Sequence, residues 1–507
     1  MMLAQAARWI DHPAMSQVTT PVISQPPTRL TPFIRQFIAL MRTRDPCADV
    51  DLRGSLRLGK GTLRLPPPDL PLQILLGGEQ GYRLHLYPEL VLDPHGRPEH
   101  RGDYLLLDPL SYFSDIAGFV RVTRGDSLTL GRENPMQRLL LRYPRTVDRR
   151  HLRLKLSTQG LALKNKSSRL GVCVAPLTDT LLQTRPWRWR HAQLARLTRA
   201  LGGPIEPLPR AAALELIEET LAVMAREPYR ALDRRGRPGG LLILPDRVRP
   251  IFVGDLRARI DNLLVLLTQN GFMQALDEGS AVLILLGNAI HPAPPEPVTE
   301  MTSSMLMMDL LCRLKLRFPE RVFYLRGEQD SFSETILTAG IPQGLLWEQA
   351  LHEARGARYR DAMRRLQEGL PYLAASSRYL AAPAGLPLDA PDLQALVDLT
   401  SHPTLIDQVL QGRARGTADD PRAAARLLRR LGLHQEAICV LGTGPRDPRA
   451  APVTGPIHRL TSADPDWVAT LTRPHRRLVP LSYPVEPLLP AYNRFVRTGR
   501  LDAERAD

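Results

Sequence analysis

The stretch Ile251-Phe252-Val253-Gly254-Asp255-Leu256-Arg257-Ala258 decides the fold. An apolar run too short for a helix stops at a glycine and gives way to charged side chains, the pattern of a buried strand opening into a polar turn. The pattern returns at Ala281–Leu286, followed by Gly287-Asn288-Ala289-Ile290-His291, and at Val322–Leu325, followed by Arg326-Gly327-Glu328-Gln329-Asp330. Leu241–Leu244, Tyr379–Ala382 and Ile438–Leu441 are further strand candidates, and Asp261–Gln269, Ser303–Arg317, Gln349–Gln367 and Pro391–Val397 carry helical spacing. Short strands alternating with amphipathic helices predict an α/β domain over 241–498. Open α/β sheets place their sites at the carboxyl ends of strands, where these polar turns lie.

Outward from that domain the pattern changes. Residues 181–240 form a basic helical connector: Arg185-Pro186-Trp187-Arg188-Trp189-Arg190 leads into a helix with Leu214, Ile217, Leu221 and Met224 on one face. Its tryptophans suit either stacking on bases or, as preferred here, packing on a neighbouring face. Residues 118–180 and 32–117 both show the short alternating runs of β structure, with a brief helical pattern at Pro32–Met41. Residues 1–31 are a flexible leading segment rich in Pro, Ser and Thr, and 499–507 a charged tail.

The three strand ends have the order and spacing of a known signature. They resemble the calcineurin-like metallophosphatases of the phosphoprotein phosphatase type, with motifs G-D-x-H-G, G-D-x-x-D-R-G and L-R-G-N-H-[DE], then H-A-G and G-H-T-P, over about 250–446. The resemblance implies an αββα fold and two divalent cations that clamp a phosphoryl group and activate water. It also implies where the ligands belong, and nearly all are replaced. Asp255 is kept; the first-motif histidine is Arg257, a permanent cation. The bridging aspartate is Asn288, and the third-motif Asn-His pair is Glu328-Gln329. The later histidines fall on Pro383 and Thr443. Arg257 is expected to pair with Asp255 in place of the missing cation. No metal is expected; the alternative is one Mn²⁺ or Mg²⁺ on Asp255, Asn288 and Glu328. His291 is expected to be a satisfied loop residue rather than a rescuing ligand. Arg326 and Arg257 are candidate phosphate binders.

A second resemblance covers about 118–180. Leu128-Thr129-Leu130-Gly131-Arg132, Val147-Asp148-Arg149-Arg150-His151 and Leu161 to Val172 resemble a forkhead-associated domain, a β-sandwich that binds phosphothreonine through loops at one end. Arg132 and the structural His151 remain, but Asp148 stands for the serine and Leu170 for the asparagine. Ser167, Ser168 and Arg149 are the residues able to compensate.

Composition limits the remaining choices. The 507 residues are 43% hydrophobic and 23% charged, which excludes wholesale disorder. The net charge is +15, yet only five of the 67 basic residues are lysine, a skew that a GC-rich coding sequence produces without any partner. Nucleic-acid binding through the connector is therefore a secondary alternative. No apolar run is long enough to span a membrane. Four widely spaced cysteines fit neither a zinc ribbon nor a disulfide scaffold. The expectation is a cytoplasmic, multidomain, noncatalytic pseudophosphatase of bacterial type. It would act as a regulatory or scaffold protein that binds a protein or phosphoprotein. A weakly active phosphoesterase is the alternative.

Overall fold

The computed structural model describes residues 56–500 except 60, 67–70, 78–80, 169, 413–419, 443–454 and 473–477. The helix expected at Pro32–Met41, the leading segment and most of the charged tail lie outside the described residues.

The first body is a pair of packed sheets. Its strands are β1 (Leu56–Arg57), β2 (Thr62–Leu65), β3 (Leu72–Leu76), β4 (Tyr82–Leu92), β5 (Pro98–Leu107), β6 (Phe119–Val122), β7 (Ser127–Leu130), β8 (Leu152–Ser157), β9 (Gly160–Asn165) and β10 (Val172–Pro176). They form a six-stranded sheet, β1-β10-β3-β4-β5-β6, and a four-stranded one, β2-β9-β8-β7. Leu152, Leu154 and Leu156 alternate with exposed Arg153 and Lys155, so the leucines meet Ile74, Leu84, Leu106 and Val174 of the other sheet in one core. This corrects the boundary expected at residue 118. Strands from both sides of it share both sheets, and the alternation that suggested two stretches is continuous through one sandwich.

The second body has strands β11 (Arg230–Leu232), β12 (Pro238–Ile243), β13 (Arg249–Val253), β14 (Ala281–Leu285), β15 (Val322–Tyr324), β16 (Leu337–Thr338), β17 (Ile341–Pro342), β18 (Leu373–Ser376), β19 (Tyr379–Ala382), β20 (Ile438–Leu441), β21 (Ile457–Arg459), β22 (Trp467–Thr472) and β23 (Val479–Pro484). Two sheets, β11-β12-β18-β19-β20-β21 and β15-β14-β13-β22-β23, bury Leu242, Phe252, Ile284, Phe323 and Val440 between them. Helices Leu393–Val397, Pro403–Gln411 and Pro421–Arg430 cover the outside of the first, and Ile260–Thr268 and Thr302–Arg317 the outside of the second. The mixed α/β architecture is therefore as expected. Gln349–Gln367 is not one helix but parts of two, Gln343–Arg355 and Ala357–Gly369. Gly356 separates them at φ 87° and ψ 168°, a conformation that only glycine adopts without strain. Among the described residues no helix is long and apolar enough to cross a membrane. Cys312 and Cys439 are free and buried, whereas Cys173 is disulfide-bonded, which the cysteine spacing gave no reason to expect.

The two bodies share a core. Tyr87, Leu92, Phe113 and Phe119 of the sandwich pack with Leu264, Phe272, Tyr483 and Tyr492 through helix Arg185–Leu201. Buried Glu486 accepts from the Leu92 backbone N–H at 2.6 Å and pairs with buried Arg190. Asn270 exchanges two hydrogen bonds with the Ala117 backbone, and Arg249 forks onto Asp115. The connector is consumed by this junction: Trp189 donates to the Asn270 carbonyl, Phe113 meets its ring edge-on, and Arg185 lies 4.2 Å over Phe113. Both indoles, half-buried, pack against the shared core.

Candidate functional site

The loops that follow β13, β14 and β15 meet the ends of β19, β20 and β21. Parallel pairing of β13 with β14 and of β14 with β15 fixes the three polar turns side by side. Backbone bonds then zip them together: the Leu256 and Arg257 N–H groups donate to the Asn288 carbonyl and Ala258 N–H to that of Ala289. Asp255 N–H donates to Gly442 O and Ser462 N–H to Asp255 O, tying the two sheets at this point. Gly287 has φ 92°, and a Cβ there would stand 2.7 Å from Gly327 Cα and 3.2 Å from Pro383 Cβ. Asp255, Arg257, Asn288, Gln329 and Pro383 thus converge on one floor; Thr443 lies outside the described residues, one residue beyond Gly442.

The polar groups on this floor are paired with one another. Arg257 Nε lies 3.2 Å from Asp255 Oδ2 and its Nη1 donates to Gln329 Oε1. Thr461 Oγ1 donates to the other Asp255 oxygen at 2.8 Å. Asn288 Oδ1 accepts from the Gln329 N–H at 3.0 Å, and its own N–H donates to Asp330 Oδ2 at 2.8 Å. Asp330, only 1% exposed, also accepts from the Gly327 N–H and the Tyr324 hydroxyl. Burial raises its pKa, against the pull of those three donors. Arg326 does not pair with Asp330: its Nη1 donates to the Tyr372 hydroxyl at 2.9 Å and its guanidinium lies over that ring. Glu328 is exposed at the rim.

Two features mark this as more than a loop cluster. Arg257, Ala258, Asn288 and His291 have φ between 50° and 64°, so four of the six described non-glycine residues in the left-handed region sit in these two turns. Each such residue costs of order 1 kcal/mol and persists where surrounding structure enforces it, commonly at sites. His291 is fully buried, and its ring nitrogens make no hydrogen bond of ordinary geometry. The expected satisfied loop histidine is therefore satisfied only through its backbone, which donates to Ser304 Oγ. Burial pushes its pKa down to about 4 and Arg257 adds to the shift, so the ring is neutral.

The donor set does not fit a divalent cation. A permanent guanidinium takes the position beside Asp255, the Asn288 amide oxygen is committed to Gln329, and Glu328 points to solvent. Among the described residues no three His, Cys, Asp or Glu side chains are grouped to hold a metal. Sequence reasoning overlooked Thr461, Tyr324 and the role of Asp330. Thr461 follows a strand far along the chain, and only sheet closure brings it to Asp255.

In the sandwich, the loops carrying Arg132, Asp148 and Ser167 also meet. Arg132 Nε donates to the Val147 carbonyl, and Ser167 Oγ donates to Asp148 Oδ2 while accepting from the Leu170 N–H at 2.8 Å. Buried His151 takes the Asp148 N–H on Nδ1 at 3.0 Å and orders the turn. Arg149 and Ser168 are exposed.

No protein-family model matches the chain, and no curated protein matches it. Among solved structures, its fold is similar to a protein serine/threonine phosphatase from Saccharomyces cerevisiae described as similar to human phosphatase PP5. The identity is 13%, the match covers 54% of this chain and 90% of that one, and the TM-score is 0.41.

Proposed function

We propose that the chain is a noncatalytic, metallophosphatase-like regulatory or scaffold protein that acts by binding a protein partner. The observation that carries this reading is the Arg257–Asp255–Gln329 cluster. A fixed side-chain cation neutralises the one retained carboxylate where catalysis would need dications, a neutral imidazole and an activated water. The sandwich supports the same reading. In a forkhead-associated site Asp148 stands where a serine would bind phosphate, and its carboxylate is already bonded to Ser167. A phosphothreonine would meet that negative charge, so recognition through this loop end does not depend on phosphate.

The test is hydrolysis of a generic phosphomonoester with added Mn²⁺ by the full chain and by Asp255→Ala. The proposal expects no turnover above background in either. Turnover in the wild type that disappears in Asp255→Ala would overturn it.

A further inference from the structure

The outward face of the four-stranded sheet is a continuous basic platform. Register places Thr62, Lys164, Arg153 and Thr129 in one row across β2, β9, β8 and β7, and Arg64, Ala162, Lys155 and Ser127 in the next. The leucines between them point into the sandwich core, so all eight residues share the other face. Arg64, Arg153, Lys155 and Lys164 are exposed, and among the described residues none of the four has an acidic partner. Arg153 and Lys164 stand directly opposite each other, a like-charge pair that disfavours the sheet. Some exposed arginines elsewhere do have acidic partners, Arg365 with Glu218 and Arg497 with Glu206. Arginine bias does not account for the platform either, because two of the five lysines in the chain lie on it and Lys166 follows on the adjoining loop.

We propose that this face docks the phosphate backbone of duplex nucleic acid without regard to sequence. Four cations supply the charge, and the hydroxyls of Thr62, Thr129 and Ser127 supply the neutral donors that phosphate contacts use. Ala162 is the one apolar residue among the eight, so the face lacks the buried anchor of a protein interface and any side chain to insert into a bilayer. It has no aromatic ring on which to stack an unpaired base, which favours the duplex over the single strand. The overall charge of +15 adds attraction at long range.

Fluorescence anisotropy with a labelled mixed-sequence DNA duplex tests this, using the full chain and Arg153→Glu/Lys155→Glu. The double variant sets a carboxylate opposite Lys164, so its thermal unfolding is expected to match or exceed that of the wild type. The wild type is expected to bind with a log K against log salt slope of about −3 to −4, from four neutralised phosphates. The variant is expected to bind at least about tenfold more weakly at low salt. Three results would overturn the proposal: absence of salt-dependent duplex binding, equal binding by the folded variant, or tighter variant-sensitive binding to phosphatidylserine vesicles or poly-glutamate than to the duplex.

Discussion

At Asp255 the facing cation is the Arg257 guanidinium, and the consequences are local and measurable. The Arg257 and Asp255 side chains are 21% and 13% exposed, so the pair is partly screened rather than a dry ion pair. Arg257→Ala is expected to lower stability by about 1–2 kcal/mol, measured by urea unfolding, because Asp255 keeps the Thr461 hydroxyl and Gln329 loses its donor. Two buried histidines set a pH dependence. His85 and His291 both have pKa values lowered to about 4 by burial, below the ordinary 6.5. The unfolded chain therefore takes up protons first as pH falls, and stability drops from pH 6.5 toward pH 4, by up to about 3 kcal/mol for each ring. His291→Phe is expected to flatten that slope in unfolding curves between those two pH values. The Asp255–Arg257 contact was legible because both residues lie in one turn. Asp330 was not, since two of its donors are backbone N–H groups from separate loops, which no side-chain pattern announces.

Local signals fixed some elements and left others invisible. Asp93-Pro94-His95-Gly96-Arg97 and Asp233-Arg234-Arg235-Gly236-Arg237 make the same turn, with Asp accepting on its side chain from the third and fifth residues and glycine at φ 79° and 74°. The second is thus the hairpin joining β11 and β12. Strands β13, β14, β15, β19 and β20 stood out as unbroken apolar runs because both their faces are buried. The pair β22 and β23 escaped: Thr470 and Thr472 look polar in sequence, but their hydroxyls donate to the Phe252 and Pro250 carbonyls. Gly356 escaped as well, because helical spacing continues across it. Gly356→Ala is expected to cost about 1–3 kcal/mol in denaturant unfolding, although no neighbouring atom stands where the methyl would go.

Across the whole molecule, the sandwich and the α/β body are joined by Glu486, which serves the Leu92 backbone and Arg190 together. Removing one member of a buried pair leaves the other charged and unpartnered. Glu486→Leu is expected to cost about 3–5 kcal/mol and to split one calorimetric transition into two. A single transition of undiminished stability would show that the junction is not held this way. Neither the junction nor the sandwich boundary could be taken from the sequence, since both depend on partners far apart along the chain. The central claim is the proposal that Arg257 leaves no room for a metal at Asp255, and it is tested most directly by Mn²⁺ content after dialysis of the folded full chain. The account predicts well below one equivalent per chain, unchanged in Asp255→Ala. One or two equivalents, lost on substitution of Asp255, would contradict it.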